Sequence, residues 1–297
     1  MLGKVSNNCP VCSFGAAVLI GRRRYRDQDW FLARCSSCGL HYTYPQPTPD
    51  QIRSFYSGDY HDELRSEGST EAAFLPKMLS YRDWLLQHMS PGRSLDIGCA
   101  TGLFPKLLGE AGFSAEGLEM NEASAEWGKT HYGVTIHIGS LAEVKLPHRH
   151  YDLVTLTDVL EHMANPIAFL AGVSEYLAPN GKVFVTFPDI ASIESRYYHF
   201  LSRLFRRDWL WYRNLDVPLH IWEFTARTAR ATFRRAGFRV LAFRREQPEE
   251  NCDFRLKRVW EVVNWPRYLL QFRPFGRYFG TQMQFLLTVD PDRPAVT

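Results

Sequence analysis

Short apolar runs alternate with segments of helical spacing through the middle of the chain, from residue 93 onward. Apolar runs of this length predict buried strands, and apolar positions three or four residues apart predict amphipathic helices. The predicted strands are Ser94–Ile97, Ser114–Glu119, Val134–Ile138, Leu153–Thr157 and Lys182–Phe187, and the helices between them are Leu103–Ala111, Glu122–His131 and Ile167–Leu177. Because strands that alternate with helices pair in parallel, we expect an α/β domain whose sheet is covered on both faces.

The flanking regions predict further elements. Before the central region we expect two strands and two helices, at Ala16–Ile20, Trp30–Ala33, Asp50–Ser57 and Glu71–Met89. After it we expect one helix and two strands, at Ala226–Ala236, Phe238–Phe243 and Gln282–Val289. Gly237 follows this helix directly, at the position where glycine commonly ends a helix.

Composition and charge narrow the class of protein. The chain has 297 residues, of which 45% are hydrophobic and 23% charged, as in globular proteins with a substantial core. No apolar run approaches the roughly 18 residues of a membrane-spanning helix, and the N-terminus lacks the apolar segment of a secretory signal. A net charge of +3 is too balanced for a dedicated nucleic-acid binder. We therefore expect a cytoplasmic protein.

Four of the six cysteines form two pairs with metal-binding spacing. The pairs are Cys9 with Cys12 and Cys35 with Cys38. Two C-x2-C turns supply the closed tetrahedral set of four thiolates that structural zinc prefers. The strands predicted between the pairs indicate a zinc ribbon, with a long hairpin tip at residues 22–27. The alternatives are four free or redox-active cysteines, or a ligand role for His41.

A glycine-containing turn follows the first strand of the central region. Gly98 and Gly102 are separated by three residues, which differs from the G-x-G-x-x-G spacing of dinucleotide-binding turns. Asp96, in the same turn, would repel a pyrophosphate but suits a ligand with a positive charge or sugar hydroxyls. Glu119 ends the next predicted strand, where a carboxylate can accept hydrogen bonds from both hydroxyls of a ribose.

Three motifs together resemble those of class I S-adenosylmethionine-dependent methyltransferases. They are the turn at residues 96–102, the Gly117-Leu118-Glu119 sequence, and Asp158-Val159-Leu160-Glu161-His162 after the fourth strand. The resemblance covers residues 95–187 well and the remainder more loosely. It implies an α/β, Rossmann-like sheet of seven mostly parallel strands with a terminal antiparallel hairpin, beside the small N-terminal four-cysteine zinc ribbon.

The resemblance also implies cofactor-binding roles. The residues at the corresponding positions are Asp96, Gly98, Cys99, Gly102, Glu119, Met120, Ser140, Leu141, Thr157 and Asp158. Asp96, Gly98 and Gly102 surround the methionine part and ribose, and Glu119 holds the ribose hydroxyls. Met120 packs on adenine, Ser140 and Leu141 contact the adenine ring, and the last two face the methionine end and the transferred methyl. Two positions depart from the family pattern. The family often has glycine where this chain has Ala100, and aspartate where this chain has Ser140.

Two residues are candidates for catalysis on the acceptor side. Methyl transfer is a displacement at carbon, and a hydroxyl or carbon acid gains from a general base within hydrogen-bond reach. His220 lies in a Pro-x-His sequence before a predicted helix, a pattern that resembles methyltransferases with an N-terminal zinc-binding segment. Asp189, shortly after the fifth strand, is the second candidate. Either residue could instead position substrate or be structural, and Glu161–His162 could cap the helix that follows.

Two segments, residues 193–214 and 254–280, mix arginines with apolar and aromatic side chains. One interpretation is a pair of lid helices over the acceptor pocket. The other is peripheral contact with an anionic membrane, which suits a lipid-linked or long-chain acceptor. Recognition of an anion, such as a nucleotide-sugar diphosphate, is compatible with both.

These inferences divide the chain into three regions. Residues 1–44 form the zinc-ribbon-like module, residues 45–92 a linker and helices covering the cofactor site, and residues 93–297 the methyltransferase domain with inserts at 190–216 and 254–280.

The leading functional hypothesis is a methyltransferase that uses S-adenosylmethionine, with structural Zn²⁺ in the ribbon. Its expected acceptor is a small molecule or glycan, such as a sugar nucleotide or lipid-linked sugar, because the arrangement resembles bacterial sugar methyltransferases. One alternative is an RNA methyltransferase whose arginine-rich ribbon tip grips nucleic acid. Another is a non-catalytic zinc-ribbon adaptor with a vestigial cofactor fold.

Overall fold

The computed structural model describes residues 4–6, 8–55, 69–205, 216–246 and 280–292. The strands are β1 (Lys4–Val5), β2 (Ala17–Tyr25), β3 (Gln28–Cys35), β4 (His41–Tyr44), β5 (Arg93–Ile97), β6 (Ser114–Glu119), β7 (Thr135–Ile138), β8 (Tyr151–Thr157), β9 (Leu177–Pro188), β10 (Trp222–Glu223), β11 (Phe238–Glu246) and β12 (Gln282–Val289). The α-helices are α1 (Pro49–Phe55), α2 (Ser69–Leu86), α3 (Leu103–Glu110), α4 (Glu122–Tyr132), α5 (Pro166–Ser174), α6 (Ile193–Leu204) and α7 (Ala226–Arg235). The predicted segment 254–280 lies outside the described residues except for Gly280, and so does the part of 193–214 beyond Phe205.

The larger sheet has seven strands in the order β11-β12-β9-β8-β5-β6-β7. The strands from β9 to β7 run parallel, and β12 and β11 add an antiparallel hairpin. This arrangement confirms the predicted Rossmann-like sheet. Its central strands are nearly continuous apolar runs, and Leu95, Val154 and Val183 are fully shielded from solvent.

The strand order places a crevice at the carboxyl ends of β5 and β8. The chain adds β6 and β7 on one side of β5, and then β8 and β9 on the other side. Ligands of open α/β sheets bind where the connections leave in opposite directions in this way. The turn after β5 and the Asp158–His162 segment after β8 both follow strands that end at this edge.

The N-terminal residues form a second, antiparallel sheet in the order β1-β2-β3-β4-β10. A two-residue turn at Arg26 and Asp27 joins β2 to β3, and their φ angles of 46° and 58° suit a turn that follows the twist of the strands. The predicted six-residue hairpin tip is therefore wrong. The strands continue to Tyr25 and resume at Gln28, so only two residues form the turn.

The last strand of the smaller sheet, β10, comes from a distant part of the chain. Tyr42 of β4 lies opposite Trp222 of β10, and His41 lies opposite Glu223. Tyr42 and Trp222 are almost completely buried, in the same apolar cluster as strands of the larger sheet. The cysteine-bearing sheet and the larger sheet therefore share one hydrophobic core.

Candidate cofactor and acceptor site

The turn after β5 has backbone conformations that favour glycine. Gly98, Ala100 and Gly102 have positive φ angles of 74°, 48° and 79°. A Cβ at Gly98 would lie 2.7 Å from Cγ2 of Val159, so a side chain there would displace the segment after β8. Ala100 takes the left-handed conformation despite its Cβ, at a cost of about 1–2 kcal/mol. The turn therefore presents backbone with little side-chain cover to the crevice.

Asp96, near the end of β5, has one carboxylate oxygen that accepts a hydrogen bond and one that has no partner among the described residues. The side chain is buried, and Oδ1 accepts a hydrogen bond from Thr155 Oγ1 at 2.5 Å. Oδ2 has no hydrogen-bond partner among the residues that the structure describes. Burial, assisted by the charge of Glu119, raises the pKa of Asp96 to about 7. Thr157, two residues after Thr155 on β8, is half-buried.

Glu119 and Cys99 lie where β5 and β6 end side by side. The Glu119 carboxylate accepts hydrogen bonds from the backbone amides of Ala100, at 2.9 Å, and Asn121, at 2.7 Å. A carboxylate has further lone pairs, so Glu119 can still accept from a ligand. Cys99 packs closely over Gly117, where an added Cβ would lie 2.4 Å from Sγ. Burial raises the pKa of the Cys99 thiol, which therefore packs in its neutral form.

The positions expected to contact adenine lie after β6 and β7. Met120 is 65% exposed, and Leu141 is half-buried with its carbonyl oxygen accepting from Tyr176 Oη at 3.4 Å. Ser140 donates to the Glu143 carboxylate from its backbone amide, at 2.9 Å, and from its hydroxyl, at 2.6 Å. These bonds lower the pKa of Glu143. Glu143 therefore places a carboxylate beside Ser140.

Asp158, after β8, is held by side chains from three other elements. The Lys77 ammonium on α2 lies 2.5 Å from Oδ2, and Oδ1 accepts from Gln282 and, at 3.3 Å, from Thr186. Burial favours the neutral acid, but the Lys77 charge outweighs it and holds the pKa of Asp158 below its usual value. Sequence reasoning missed Lys77. Its place in the apolar pattern, four residues before Tyr81, was the available signal.

Two histidines and two glutamates form a compact group beside Asp158. His220 Nδ1 lies 3.2 Å from Glu223 Oε1, and the ring centroids of His162 and His220 are 4.8 Å apart. Burial alone would lower the pKa of His220, but the carboxylates of Glu223 and Glu161 raise it to about 9. An imidazole that is protonated at neutral pH is a poor proton acceptor, so this arrangement favours a positioning role for His220 over that of a base.

Glu161 and His162 lie in a 3₁₀ turn over Leu160–His162. His162 Nδ1 donates to the carbonyl oxygen of Leu219 at 3.0 Å, and burial lowers its pKa to about 3. Glu161 is 1% exposed, neither of its oxygens has a hydrogen-bond partner in the described parts of the chain, and burial raises its pKa to about 8. The alternative that these residues cap α5 is wrong, because Asn165 forms that cap.

Asp189, the second predicted catalytic residue, is buried just after β9 and is engaged by the protein. Arg245 Nε donates to Oδ2 at 2.8 Å, and the backbone amide of Ala191 donates to Oδ1 at 2.9 Å. Both oxygens thus have partners, which is typical of a buried structural carboxylate.

The four N-terminal cysteines converge. The Sγ atoms of Cys9 and Cys38 are 3.5 Å apart, as are those of Cys12 and Cys35, and all four lie within 4.8 Å of one another. With Zn–S bonds of about 2.3 Å, a tetrahedral site places its sulfurs about 3.8 Å apart, whereas a disulfide would place them about 2 Å apart. The donor set and its spacing therefore fit a structural zinc ion.

The described part of segment 193–214 forms α6, which has apolar side chains on two faces. Tyr198 and Leu201 pack inward, whereas Phe200, Leu204 and Phe205 are 62%, 61% and 59% exposed. Within the ranges that the structure describes, no helix is both long and apolar enough to cross a bilayer.

Comparison with known proteins identifies the family. A family model described as "Methyltransferase domain" matches residues 73–242, which is more than half of the chain. The chain belongs to this family. The seven-stranded sheet and the crevice described above lie largely within the matched residues.

Particular relatives share parts of this chain. It is 28% identical to the ubiquinone biosynthesis O-methyltransferase of Aromatoleum aromaticum over 110 residues, which cover 34% of this chain and 47% of that protein. The chain thus spans about half the length of the curated relatives it matches.

Solved structures show the shared fold. The 1,6-didemethyltoxoflavin-N1-methyltransferase of Burkholderia thailandensis, with bound 1,6-didemethyltoxoflavin and S-adenosylhomocysteine, is 17% identical with a TM-score of 0.54, covering 91% of this chain and 100% of that one. A SAM-dependent methyltransferase from Archaeoglobus fulgidus is also 17% identical, with a TM-score of 0.51 and coverages of 77% and 99%. None of these three proteins has a sugar acceptor in its name.

Proposed function

We propose that this protein is an S-adenosylmethionine-dependent methyltransferase that acts on a small molecule. The observation that carries the proposal is the buried Oδ2 of Asp96, which has no partner among the described residues and lies beside a turn of three residues with positive φ. A buried carboxylate oxygen needs a donor, and a hydroxyl or ammonium group of a ligand would supply one. Membership of the methyltransferase family supports this assignment.

The crevice suits S-adenosylmethionine at both ends of the molecule. Glu119 retains lone pairs for the ribose hydroxyls, and Met120 exposes a side chain that can pack on adenine. Glu143 supplies an acid for the adenine amino group. At the other end, Lys77 and Asp158 present a cation beside an anion. Lys77 can bind the carboxylate of the methionine part, and Asp158 can bind its ammonium group.

S-adenosylmethionine supplies, when bound, a methyl group on a positively charged sulfur. The residues of the chain then have to hold the donor, align the nucleophile of the acceptor with the methyl carbon, and accommodate the proton that the nucleophile loses. His220 lies on the acceptor side, and Glu223 fixes the orientation of its ring. A hydrogen bond from His220 would orient the acceptor.

The ribbon favours a small acceptor over RNA. Its hairpin arginines have partners within the protein: Arg22 and Arg24 with Asp29, Arg23 with the carbonyl oxygen of Val217, and Arg26 with Ser54. Phosphates would have to compete with these partners. The non-catalytic alternative leaves the buried carboxylates of Asp96 and Glu119 without a function.

The exposed apolar side chains of α6 bear on the class of acceptor. Phe200, Leu204 and Phe205 together offer a surface that an apolar or lipid-linked acceptor can contact. Arg196 and Arg203 of the same helix can meet anionic headgroups. An acceptor carried at a membrane surface is therefore favoured over a free sugar nucleotide.

Zinc at the four cysteines would have a structural role. The donor set is closed, so it leaves no position for substrate. Metal binding there would brace β4 and, through it, β10 and the acceptor segment.

Two measurements test the proposal. We expect S-adenosylhomocysteine to bind stoichiometrically in calorimetry, with binding weakened in Asp96→Asn and Glu119→Gln but not in Asp152→Asn, a surface control. Absence of binding to the unaltered protein would refute the function. Methyl-labelled cofactor is then incubated with the protein and a cell extract, which is fractionated afterwards.

The fraction of the extract that carries the methyl label identifies the class of acceptor. Label in lipid supports a membrane-carried acceptor, and label in the small aqueous pool identifies a free metabolite. Label in RNA would overturn the small-molecule proposal. Stoichiometric binding without label in any fraction would instead favour the adaptor.

A further inference from the structure

One carboxylate and two imidazoles beside the acceptor segment have the composition of a metal site. One ligand atom from each of Glu161, His162 and His220 lies within 4.8 Å of the other two. Tetrahedral ligands about 2.1 Å from a metal ion are about 3.4 Å apart, so the three groups would have to close by at most about 1.4 Å. Asp158 precedes Glu161 by three residues, so the group adjoins the position expected to face the transferred methyl.

Glu161 supplies the observation that points to a cation. Its side chain is buried, and neither carboxylate oxygen has a hydrogen-bond partner among the residues described. Burial of a carboxylate without a partner is strongly unfavourable. A cation between Glu161 and the two imidazoles would provide the missing interaction.

The two histidines are oriented as metal-binding histidines usually are. His162 Nδ1 donates to the carbonyl oxygen of Leu219 at 3.0 Å, so Nε2 carries the lone pair of the neutral ring. His220 Nδ1 lies 3.2 Å from Glu223 Oε1, so its Nε2 becomes the ligand once it releases its proton to the solvent. A carbonyl or carboxylate behind each ring is the usual outer support of a metal-bound imidazole.

Backbone contacts join the two segments that carry the ligands. The amide of Ile221 donates to the carbonyl oxygen of Glu161 at 2.8 Å, and Trp222 Nε1 donates to that of Met163 at 2.6 Å. Together with the bond from His162 to Leu219, these contacts connect the 3₁₀ turn to the His220 segment. The three ligand side chains are thus held on connected backbone.

We propose that Glu161, His162 and His220 bind a divalent first-row transition-metal ion. Two imidazoles and one carboxylate are the ligand set of catalytic sites that keep open positions, and the nitrogen ligands favour a transition metal over Mg²⁺. An acceptor hydroxyl fills an open position and loses its proton to the solvent more readily there. The oxygen then forms a bond to the methyl carbon, and the carbon–sulfur bond breaks with its electron pair remaining on sulfur. His220 is then a metal ligand, and the bound metal replaces its hydrogen bond in orienting the acceptor.

Metal binding itself does not depend on the proposed function, whereas the role of the metal in methyl transfer does. Mn²⁺ is the best probe because it prefers nitrogen and oxygen ligands, so the thiolates of the ribbon compete weakly for it. The full chain, with one equivalent of zinc in the ribbon and no excess zinc, is titrated with Mn²⁺ while electron paramagnetic resonance measures the free ion.

We expect one Mn²⁺ per chain in the unaltered protein. Glu161→Gln should bind at least about 100-fold more weakly, and Glu223→Gln about 10–100-fold more weakly because it removes the support of a ligand. His137→Gln is the control, since His137 lies on β7 and pairs with Glu116 of β6, neither of which belongs to the proposed site. Absence of Mn²⁺ binding to the unaltered protein, or equal binding by Glu161→Gln, would overturn the proposal.

Thermal melting excludes misfolding as the explanation. Glu161→Gln keeps the shape of the side chain and is uncharged, so the metal-free variant should melt close to the unaltered protein, and Mn²⁺ should raise the melting temperature of the unaltered protein alone. If Glu161→Gln does not fold, His220→Asn takes its place, and stabilisation of that variant by Mn²⁺ would count against the site.

Calorimetry with S-adenosylhomocysteine separates the two proposals. Binding of S-adenosylhomocysteine without binding of Mn²⁺ refutes only the metal site. Binding of Mn²⁺ without binding of S-adenosylhomocysteine refutes only the proposed function.

Discussion

Thr43 of the cysteine-bearing sheet donates its hydroxyl hydrogen to the main-chain oxygen of His220, with 2.7 Å between the two oxygens. The amide of Thr43 also donates to the carbonyl oxygen of the next residue, Ile221, at 2.9 Å. Thr43 is fully buried. A residue of the N-terminal module thus fixes the backbone that carries the predicted acceptor-side histidine.

Replacement of Thr43 by valine tests this link. Valine keeps the shape of threonine but leaves the buried carbonyl of His220 without its donor, which should cost about 1–3 kcal/mol of unfolding free energy. We expect methyl transfer to the labelled fraction to fall while the affinity for S-adenosylhomocysteine stays unchanged. Thr43→Ser, which keeps the hydroxyl, is the control. A parallel loss of cofactor affinity in Thr43→Val would contradict a role limited to the acceptor segment.

Asp96 should make the protein less stable as the pH rises. Its pKa of about 7 in the folded protein lies above the ordinary value of 3.8, so between these values the folded state retains a proton that the unfolded chain has released. Stability therefore falls as the pH rises from about 4 to 7. Asp96→Asn should melt close to the unaltered protein at pH 4 and higher at pH 8, by about 2–4 °C for each 1 kcal/mol gained.

The same substitution should weaken cofactor binding. A hydrogen bond to a charged group contributes about 1.5–3 kcal/mol, so Asp96→Asn should bind S-adenosylhomocysteine roughly 10–100-fold more weakly. Calorimetry measures both effects on one variant. Greater stability at pH 8 with unchanged affinity would show that Asp96 does not contact the cofactor.

Lys77 should be coupled energetically to Asp158. Lys77→Met removes the cation that lies 2.5 Å from Oδ2 of Asp158. A third of the Asp158 side chain remains accessible, so we expect a loss of about 1–3 kcal/mol, less than for a fully buried pair. Urea unfolding of Lys77→Met, Asp158→Asn and the double variant measures the coupling. Additive losses would mean that the pair contributes nothing to stability.

Zinc removal should disturb the acceptor segment more than the cofactor crevice. Cys38→Ser should lower the metal content and the melting temperature, because the cysteine-bearing sheet shares its core with the larger sheet. Trp222 packs beside Tyr42 at a tilt, with 6.0 Å between ring centroids, so its fluorescence should report the change. Trp222→Phe identifies that signal among the other tryptophans. An unchanged spectrum in metal-free protein would show that the module does not depend on zinc.

The apolar surface of α6 should bind anionic vesicles. Exchange of Phe200 and Leu204 for serine removes apolar area, and each side chain is worth about 1.5–3 kcal/mol when buried. We therefore expect co-sedimentation with phosphatidylglycerol vesicles to weaken about ten-fold or more. Leu241→Ser, which changes an exposed leucine on β11, is the control. Equal binding by all three proteins would remove the membrane from the proposed function.

The strands of the larger sheet could be predicted because their signals are local. Ser114–Glu119 and Gln282–Val289 have the predicted bounds. The second strand is mostly apolar and lies between Gly280 and Asp290, and the first lies between Gly112 and the helix that begins at Glu122. The N-terminal module was harder to predict. Its strand β10 is only two residues long and forms because Trp222 meets Tyr42, which no local pattern indicates.

In the candidate site, too, features with a local sequence signal could be predicted and features that depend on distant contacts could not. The turn around Gly98 and the acid at Glu119 follow from short motifs, and the structure brings them together at one edge of the sheet. The apolar pattern around Lys77 was a local signal for its burial, but its pairing with Asp158 could not be assigned from sequence, because the two residues are 81 positions apart. For the same reason, the ion pair of Asp189 with Arg245 could not be foreseen. Whether such a charged residue binds a ligand or another side chain depends on partners that are distant in sequence.

The pairing of β4 with β10 also bears on how the protein is assembled during synthesis. Thr43 and His220 are 177 positions apart, so β4 leaves the ribosome long before the strand that completes its sheet. Until then β4 is an unpaired edge, which can pair with other chains. Contacts between residues this far apart in sequence also slow folding. The nascent chain therefore has an exposed β edge throughout the translation of the larger sheet's parallel strands.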